Sequence, residues 1–176
     1  TCALPIWDLE NVIELNNGNY LTCGADKQLI LWDASWTPIT YMVGHEDDVN
    51  GVMELHDGRL LSWSDDKTLR LWGSSGEPLG VLAGHESRVN GAIKLHDGRL
   101  LSWSKYELTL RREHRRDHTR RLWGSTGEPL GILAGHGDDV DGGIELHDGR
   151  LLSWSDDNTL RLWGSSGEPL GVLAGH

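Results

Sequence analysis

Forty residues of this chain recur almost unchanged. GHEDDVNGVMELHDGRLLSWSDDKTLRLWGSSGEPLGVLA (Gly44 to Ala83) and GHGDDVDGGIELHDGRLLSWSDDNTLRLWGSSGEPLGVLA (Gly135 to Ala174) differ at five of 40 positions. The His near the start of each copy recurs at 45, 85, 136 and 176, in steps of 40, 51 and 40. A diverged copy lies upstream, where ELNNGNYLTCGADKQLILWD (Glu14 to Asp33) aligns with Glu54 to Gly73. A period of this length marks a repeat architecture, in which each unit is one supersecondary element that cannot bury its apolar faces alone. The chain is read as a single repeat region, 1–176, with units at approximately 4–43, 44–83, 84–134 and 135–174.

Each unit reads as four short strands. In the second unit, Val49 to Leu55 alternates apolar and polar residues. His56-Asp57-Gly58 follows, and Asp-Gly supplies the positive φ that a tight hairpin turn demands. Arg59 to Ser64 and Thr68 to Trp72 are the second and third strands, and GSSGEP is a loop whose Pro78 marks entry to the fourth. No segment holds a helical period. Gly makes up 23 of the 176 residues, roughly double the usual ~7%, as a turn-rich chain requires. The expected fold class is all-β, a partial β-propeller of four four-stranded antiparallel blades, either an open arc or self-associating.

The pattern GH…V…SxSxDxTLRLW resembles the WD-repeat propellers, and it recurs over nearly the whole chain. The resemblance implies that each blade is fastened by a hydrogen-bonded tetrad: the His of the Gly-His step, a Ser or Thr on the second strand, the Asp of the next turn and the Trp of the third strand. By position these are His45, Ser62, Asp66 and Trp72 in the second unit, and His85, Ser102, Asp117 and Trp123 in the third. In the fourth they are His136, Ser153, Asp157 and Trp163. Indole only donates, hydroxyl and neutral imidazole both donate and accept, and carboxylate only accepts, so such a chain satisfies its buried polar groups. The first unit keeps Thr22, Asp26 and Trp32 but has Pro5 in place of His, so a weaker blade is expected there. The Asp that usually follows the Trp survives only as Asp33; Gly73, Gly124 and Gly164 stand elsewhere.

The step of 51 residues contains SWSKYELTLRREHRRDHTRRLWG (Ser102 to Gly124), where the second unit has only SWSDDKTLRLWG. Asp117-His118-Thr119 keeps the spacing to Trp123, so the extra residues are 105–115 and the third strand resumes after them. Tyr106, Leu108 and Leu110 alternate like a strand, which points to a protruding arm. Taking Thr109-Leu110-Arg111 as the third strand instead loses the Trp. The arm's Arg111, Arg112, Arg115 and Arg116 are candidates for an acidic or nucleic-acid partner.

Elsewhere the chain is acidic. The formal net charge is −11, although Lys105 to Arg121 alone is net basic. An acidic body disfavours nucleic acid and anionic membranes. The resemblance implies partner binding on the face where the Gly-His loops and the turns before the third strands emerge. That face would carry Glu46, Asp47, Asp48, Asp65, Asp138, Asp139 and Asp156, interrupted by Arg88, and would suit a basic protein or peptide. Trp63, Trp103 and Trp154 read as packing between blades, and His56, His96 and His147 as solvated turn residues.

No phosphate loop, nucleophile elbow or zinc-type Cys/His spacing is present. Ser, His and Asp recur in every unit, which suits a structural fastener and not a catalytic triad. No catalytic residue, metal or cofactor is therefore expected. The reading is a non-catalytic protein-interaction scaffold; the alternative is a regulatory or sensor segment of a larger multidomain signalling protein or enzyme. Two cysteines, Cys2 and Cys23, make no disulfide framework and suggest a cytoplasmic setting. Nowhere is there the run of ~20 apolar residues that a membrane helix needs. Thr1 to Ala3 match Val81 to Ala83, the tail of a fourth strand, so the chain reads as a fragment of a longer propeller. Two apolar faces, at 9–43 and 134–174, would then be open, so aggregation or self-association is expected, two copies making an eight-bladed ring being one form of it.

Overall fold

Alternating side chains and Gly-bearing turns leave each repeat little choice but a small meander. The computed structural model describes residues 9–105 and 119–174. The first blade is β1 (Leu9–Glu14), β2 (Tyr20–Gly24), β3 (Gln28–Trp32) and β4 (Pro38–Val43). The second is β5 (Val49–Glu54), β6 (Leu60–Ser64), β7 (Thr68–Trp72) and β8 (Pro78–Ala83). The third is β9 (Arg88–Lys94), β10 (Leu100–Lys105), β11 (Arg120–Trp123) and β12 (Pro129–Leu133). The fourth is β13 (Val140–Glu145), β14 (Leu151–Ser155), β15 (Thr159–Trp163) and β16 (Pro169–Ala174). In every sheet the strands lie side by side in chain order.

The hairpin between the first two strands closes where Asp-Gly falls. Gly58, at φ +83°, donates to Leu55 O at 3.1 Å, and Leu55 donates to Arg59 O at 2.7 Å. Asp57 accepts from Arg59 N (3.2 Å) and Arg59 Nε (2.8 Å), which pins the turn from outside.

The loop after the third strand shows why Gly replaces the usual Asp. In the first blade Asp33 Oδ1 accepts from Ser35 N and Thr37 N, both at 2.8 Å. In the others a carboxylate arrives from the far side of the turn. A Cβ on Gly73, Gly124 or Gly164 would collide with the carboxylate of Glu77, Glu128 or Glu168. There Glu168 Oε2 accepts from Ser166 Oγ at 3.0 Å, and Glu128 Oε2 from Thr126 Oγ1 at 2.5 Å. One carboxylate per turn is kept; its position in the sequence has moved.

The chain divides into two compact units, Thr1–Val81 and Leu82–His176. In the first, Leu15, Leu21, Leu29, Leu31 and Met42 of the first blade pack with Val49, Val52, Leu60 and Trp72 of the second. In the second, Leu95, Leu101, Leu122 and Leu133 pack with Leu151 and Trp163. Each such aliphatic side chain contributes about 1.5–3 kcal/mol on burial. The turns add polar latches between neighbouring blades. Asn16 N donates to Glu54 Oε2 at 2.8 Å in the first unit. In the second, His96 N and Nδ1 reach Glu145 Oε2 at 2.7 and 2.6 Å, and Arg99 Nη1 donates to Ser165 O at 2.6 Å. His96 is thus more than a solvated turn residue: its ring, though exposed, clips one blade to the next.

β11 pairs with β10 from Leu100↔Trp123 to Trp103↔Arg120, matching Leu60↔Trp72 to Trp63↔Leu69 in the second blade. The third strand of the long repeat is therefore Arg120–Trp123. Of the extra segment, Lys105 ends β10 opposite Arg88. Pro5, Arg111, Arg112, Arg115, Arg116 and Asp117 lie outside the described residues.

Candidate functional site

The loop face is built from the fasteners outward. In the second blade Trp72 Nε1 donates to Ser62 Oγ at 2.9 Å, Ser62 Oγ meets His45 Nε2 at 2.7 Å, and His45 Nδ1 donates to Asp66 Oδ2 at 2.7 Å. Since carboxylate only accepts, the imidazole carries its proton on Nδ1 and accepts from the hydroxyl at Nε2. The fourth blade repeats this through Trp163, Ser153, His136 and Asp157 at 2.8, 2.8 and 3.0 Å. In the third, Trp123 and His85 both reach Ser102, at 2.9 and 2.8 Å. In the first, Trp32 donates to Thr22 Oγ1 at 2.8 Å, and Asp26 Oδ1 caps Gln28 N at 3.2 Å.

The Asp is the hub. Asp66 also accepts from Glu46 N (3.0 Å), Thr68 N (2.9 Å) and Thr68 Oγ1 (2.6 Å). Asp157 does the same with Gly137 N, Thr159 N and Thr159 Oγ1, at 2.8, 2.9 and 2.6 Å. Burial works against charge on each carboxyl, but these donors outweigh it and hold both far below the usual carboxylate range. Burial pushes His136 down, and the neighbouring Arg120 charge adds to this against the pull of Asp157.

A second clamp lies alongside, and the sequence reading passed over it. Ser64 Oγ donates to Asp47 O at 3.1 Å and accepts from Asp66 N at 3.0 Å; Ser155 does so with Asp138 O and Asp157 N, both at 3.1 Å. Asp65 N and Asp156 N donate to Asp48 O and Asp139 O, each at 2.9 Å. The last three repeats carry this second Ser in SWS and a Thr in DxT, while the first has Gly24 and Gln28 in their places. Together these bonds sew the Gly-His loop to the next turn, so the surface residues there stand on a fixed backbone.

Not all the acidic candidates face solvent. Asp47 and Asp138 are exposed, Asp48 and Asp65 are half-buried, and Asp139 is buried. Arg88 is half-buried. Lys27 of the first blade leans over the second, with Nζ 2.9 Å from Glu46 O and 3.8 Å from Asp47 Oδ1. In the second blade Asn50 Nδ2 donates to Asp65 Oδ1 at 2.6 Å. In the fourth that position is Asp141, so a carboxylate meets Asp156 where an amide met Asp65. The charge on Asp141 raises the Asp156 carboxyl above its usual value. Lys105 Nζ stands 3.3 Å from Asp141 Oδ1.

The other unanticipated residue is Arg120. It occupies the place of Leu69 and Leu160 and is fully buried between the third and fourth blades. Its Nη2 donates to Gly142 O at 2.7 Å and Trp154 O at 3.4 Å, while Nε and Nη1 find no partner among the described residues. Burial pushes it down to about 9, despite the nearby Asp157 charge. Trp63 and Trp103 are buried, but Trp154 is exposed. Among the described residues no three His, Cys, Asp or Glu side chains converge on a metal-sized site.

Residues 36–73 match the family described as WD domain, G-beta repeat. The crystal structure of the WD40 beta propeller domain of Doa1 is similar, with a TM-score of 0.68 and 23% identity over 89% of this chain and 50% of that one. The fold is that of WD40 propeller blades. The chain spans half the length of the solved domain it matches. No curated protein matches its sequence. WD40 propellers generally serve as protein-interaction scaffolds.

Proposed function

We propose that this chain is an interaction scaffold that receives a basic peptide, or a basic protein surface, on the loop face of its fourth blade. The observation that supports this is the crowding of Asp141 against Asp156, beside the exposed Asp138. Like charges held together repel; Lys105, 3.3 Å from Asp141, offsets part of this, and an incoming cation relieves the rest. The loops are already tied down by Ser155, Asp157 and Thr159. Binding thus costs little backbone ordering. The second blade, with Asn50 in place of the second carboxylate, offers the weaker site.

The test is calorimetric titration with a Lys/Arg-rich peptide at low salt. Replacing Asp141 and Asp156 by Asn is expected to weaken binding about tenfold, or ~1.4 kcal/mol, and to flatten its salt dependence. Equal affinity for the parent and the double variant, with unchanged melting of both, rejects the reading.

A further inference from the structure

The segment that lengthens the third repeat begins at Lys105. In the second and fourth blades its place is held by Asp65 and Asp156. Each of these lies in a turn, with its N–H bound to Asp48 O or Asp139 O at 2.9 Å. In the third blade the strand runs one residue further, so that β10 includes Lys105, opposite Arg88. A basic strand residue thus stands where the other two blades have an acidic turn residue.

From there the side chain reaches the next blade. Lys105 Nζ lies 3.3 Å from Asp141 Oδ1, on β13. Asp141 is itself a departure, because Asn50 and Asn90 hold its place in the second and third blades. The corresponding residues in the first compact unit are Ala25 and Asn50, which carry no charge. Two substitutions on neighbouring blades therefore meet in one ion pair, and the first unit has no charges from which to build its counterpart.

Asp156 adjoins this pair. The charge on Asp141 raises its carboxyl, and Lys105 acts against that rise. Among the three groups, one negative charge is left over. Both side chains of the ion pair are 34% exposed, so a ligand can approach Asp141, but only beside a cation already there. Cation beside cation repels.

We infer that Lys105 is a built-in competitor for the basic partner: its ammonium holds Asp141 and leaves the ligand the charge on Asp156. This rests on the fourth-blade loop face being the site for a basic peptide, as proposed above. The first residue of the extra segment thereby sets how much positive charge the site accepts. Removing its charge gives both carboxylates to the ligand. Because the pair is part-exposed, the gain in affinity is about two- to fivefold at low salt and fades as salt rises.

Calorimetric titration of the 176-residue chain with a Lys/Arg-rich peptide tests this. Lys105→Gln is expected to bind more tightly than the parent, by about two- to fivefold. Should that variant melt early, Lys105→Thr, with its better strand propensity, serves in its place. Lys94→Gln takes the same charge from the other end of β9 and is expected to bind as the parent does. On the Asp141→Asn/Asp156→Asn background, Lys105→Gln is expected to bring no gain, because the carboxylate it guards is gone. An equal gain from Lys94→Gln, or a gain that persists without the two carboxylates, overturns the inference. If the double Asn variant binds weakly but Lys105→Gln binds no tighter than the parent, the inference falls alone. If the double Asn variant binds like the parent, the underlying reading of the site falls and takes the inference with it.

Discussion

Replacing Arg120 with Leu should make this protein more stable, although it removes hydrogen bonds. Arg120 is fully buried, yet only Nη2 is bonded, to Gly142 O and Trp154 O. Burial lowers it from the ordinary 12.5 to about 9. At about 1.4 kcal/mol per decade, holding the charge there costs roughly 4–5 kcal/mol. Losing the charge-assisted bonds costs about 1.5–3 kcal/mol. Leu, the residue at the equivalent positions 69 and 160, fills the same strand site without a charge. The balance is a gain of about 2 kcal/mol, within the range seen when buried charges give way to apolar residues. In urea, with a slope of about 1–3 kcal/mol/M, the midpoint should rise by about 1 M. Arg120→Lys, which keeps the charge but cannot match the reach of the guanidinium, should lower it. A second readout is His136, which Arg120 helps to hold low; its imidazole should titrate at higher pH in Arg120→Leu. A Leu variant less stable than the parent, with His136 unmoved, would refute the reasoning.

Ser62→Ala should cost about 3 kcal/mol, because the Trp72 N–H and the His45 ring lose their shared partner in a dry interior. Trp72→Phe made on that background should cost less than on the parent, and strictly additive urea midpoints would deny the coupling. Stability should also fall in two stages on acidification, measured as urea midpoint from about pH 7 to about pH 3. The unfolded state takes up a proton at His136 first, because the folded value lies below 6.5. Stability is then lost as pH drops below that value and levels off beneath the folded one. Asp66 and Asp157 are depressed below 3.8 when folded, so their contribution, complete above that value, is lost as pH falls through it toward their folded values. His136→Gln should erase the upper stage alone, and a flat profile would contradict both.

Strand placement was readable because each cue is local. Asp-Gly at 57–58 sets the hairpin, Pro78 opens a fourth strand, and the alternation of LLSWS assigns Ser62 and Trp63 to opposite faces. The partners of those side chains were less readable. Nothing in the spacing says that Ser64 bridges Asp47 O to Asp66 N, since that bond depends on how closely the Gly-His loop returns to the turn. Likewise the Glu of GSSGEP reads as a solvated loop residue until the turn folds its carboxylate over Gly73. Asp139 and Asp138 are adjacent and identical in type, and only the backbone path buries one and exposes the other.

The near-identity of the repeats is a guide to individual behaviour, because several departures from it fall on contacts. Asn50 becomes Asp141, and an amide–carboxylate bond becomes a pair of crowded carboxylates. Leu69 becomes Arg120, and an apolar seam acquires a charge with two unbonded nitrogens. The turn glycine becomes Trp36, and a close fit becomes an exposed ring held in a left-handed backbone. A repeat fixes what each position must touch, so a changed residue inherits that neighbour whether or not it suits it. Where it does not, the mismatch marks a cost, as at Arg120.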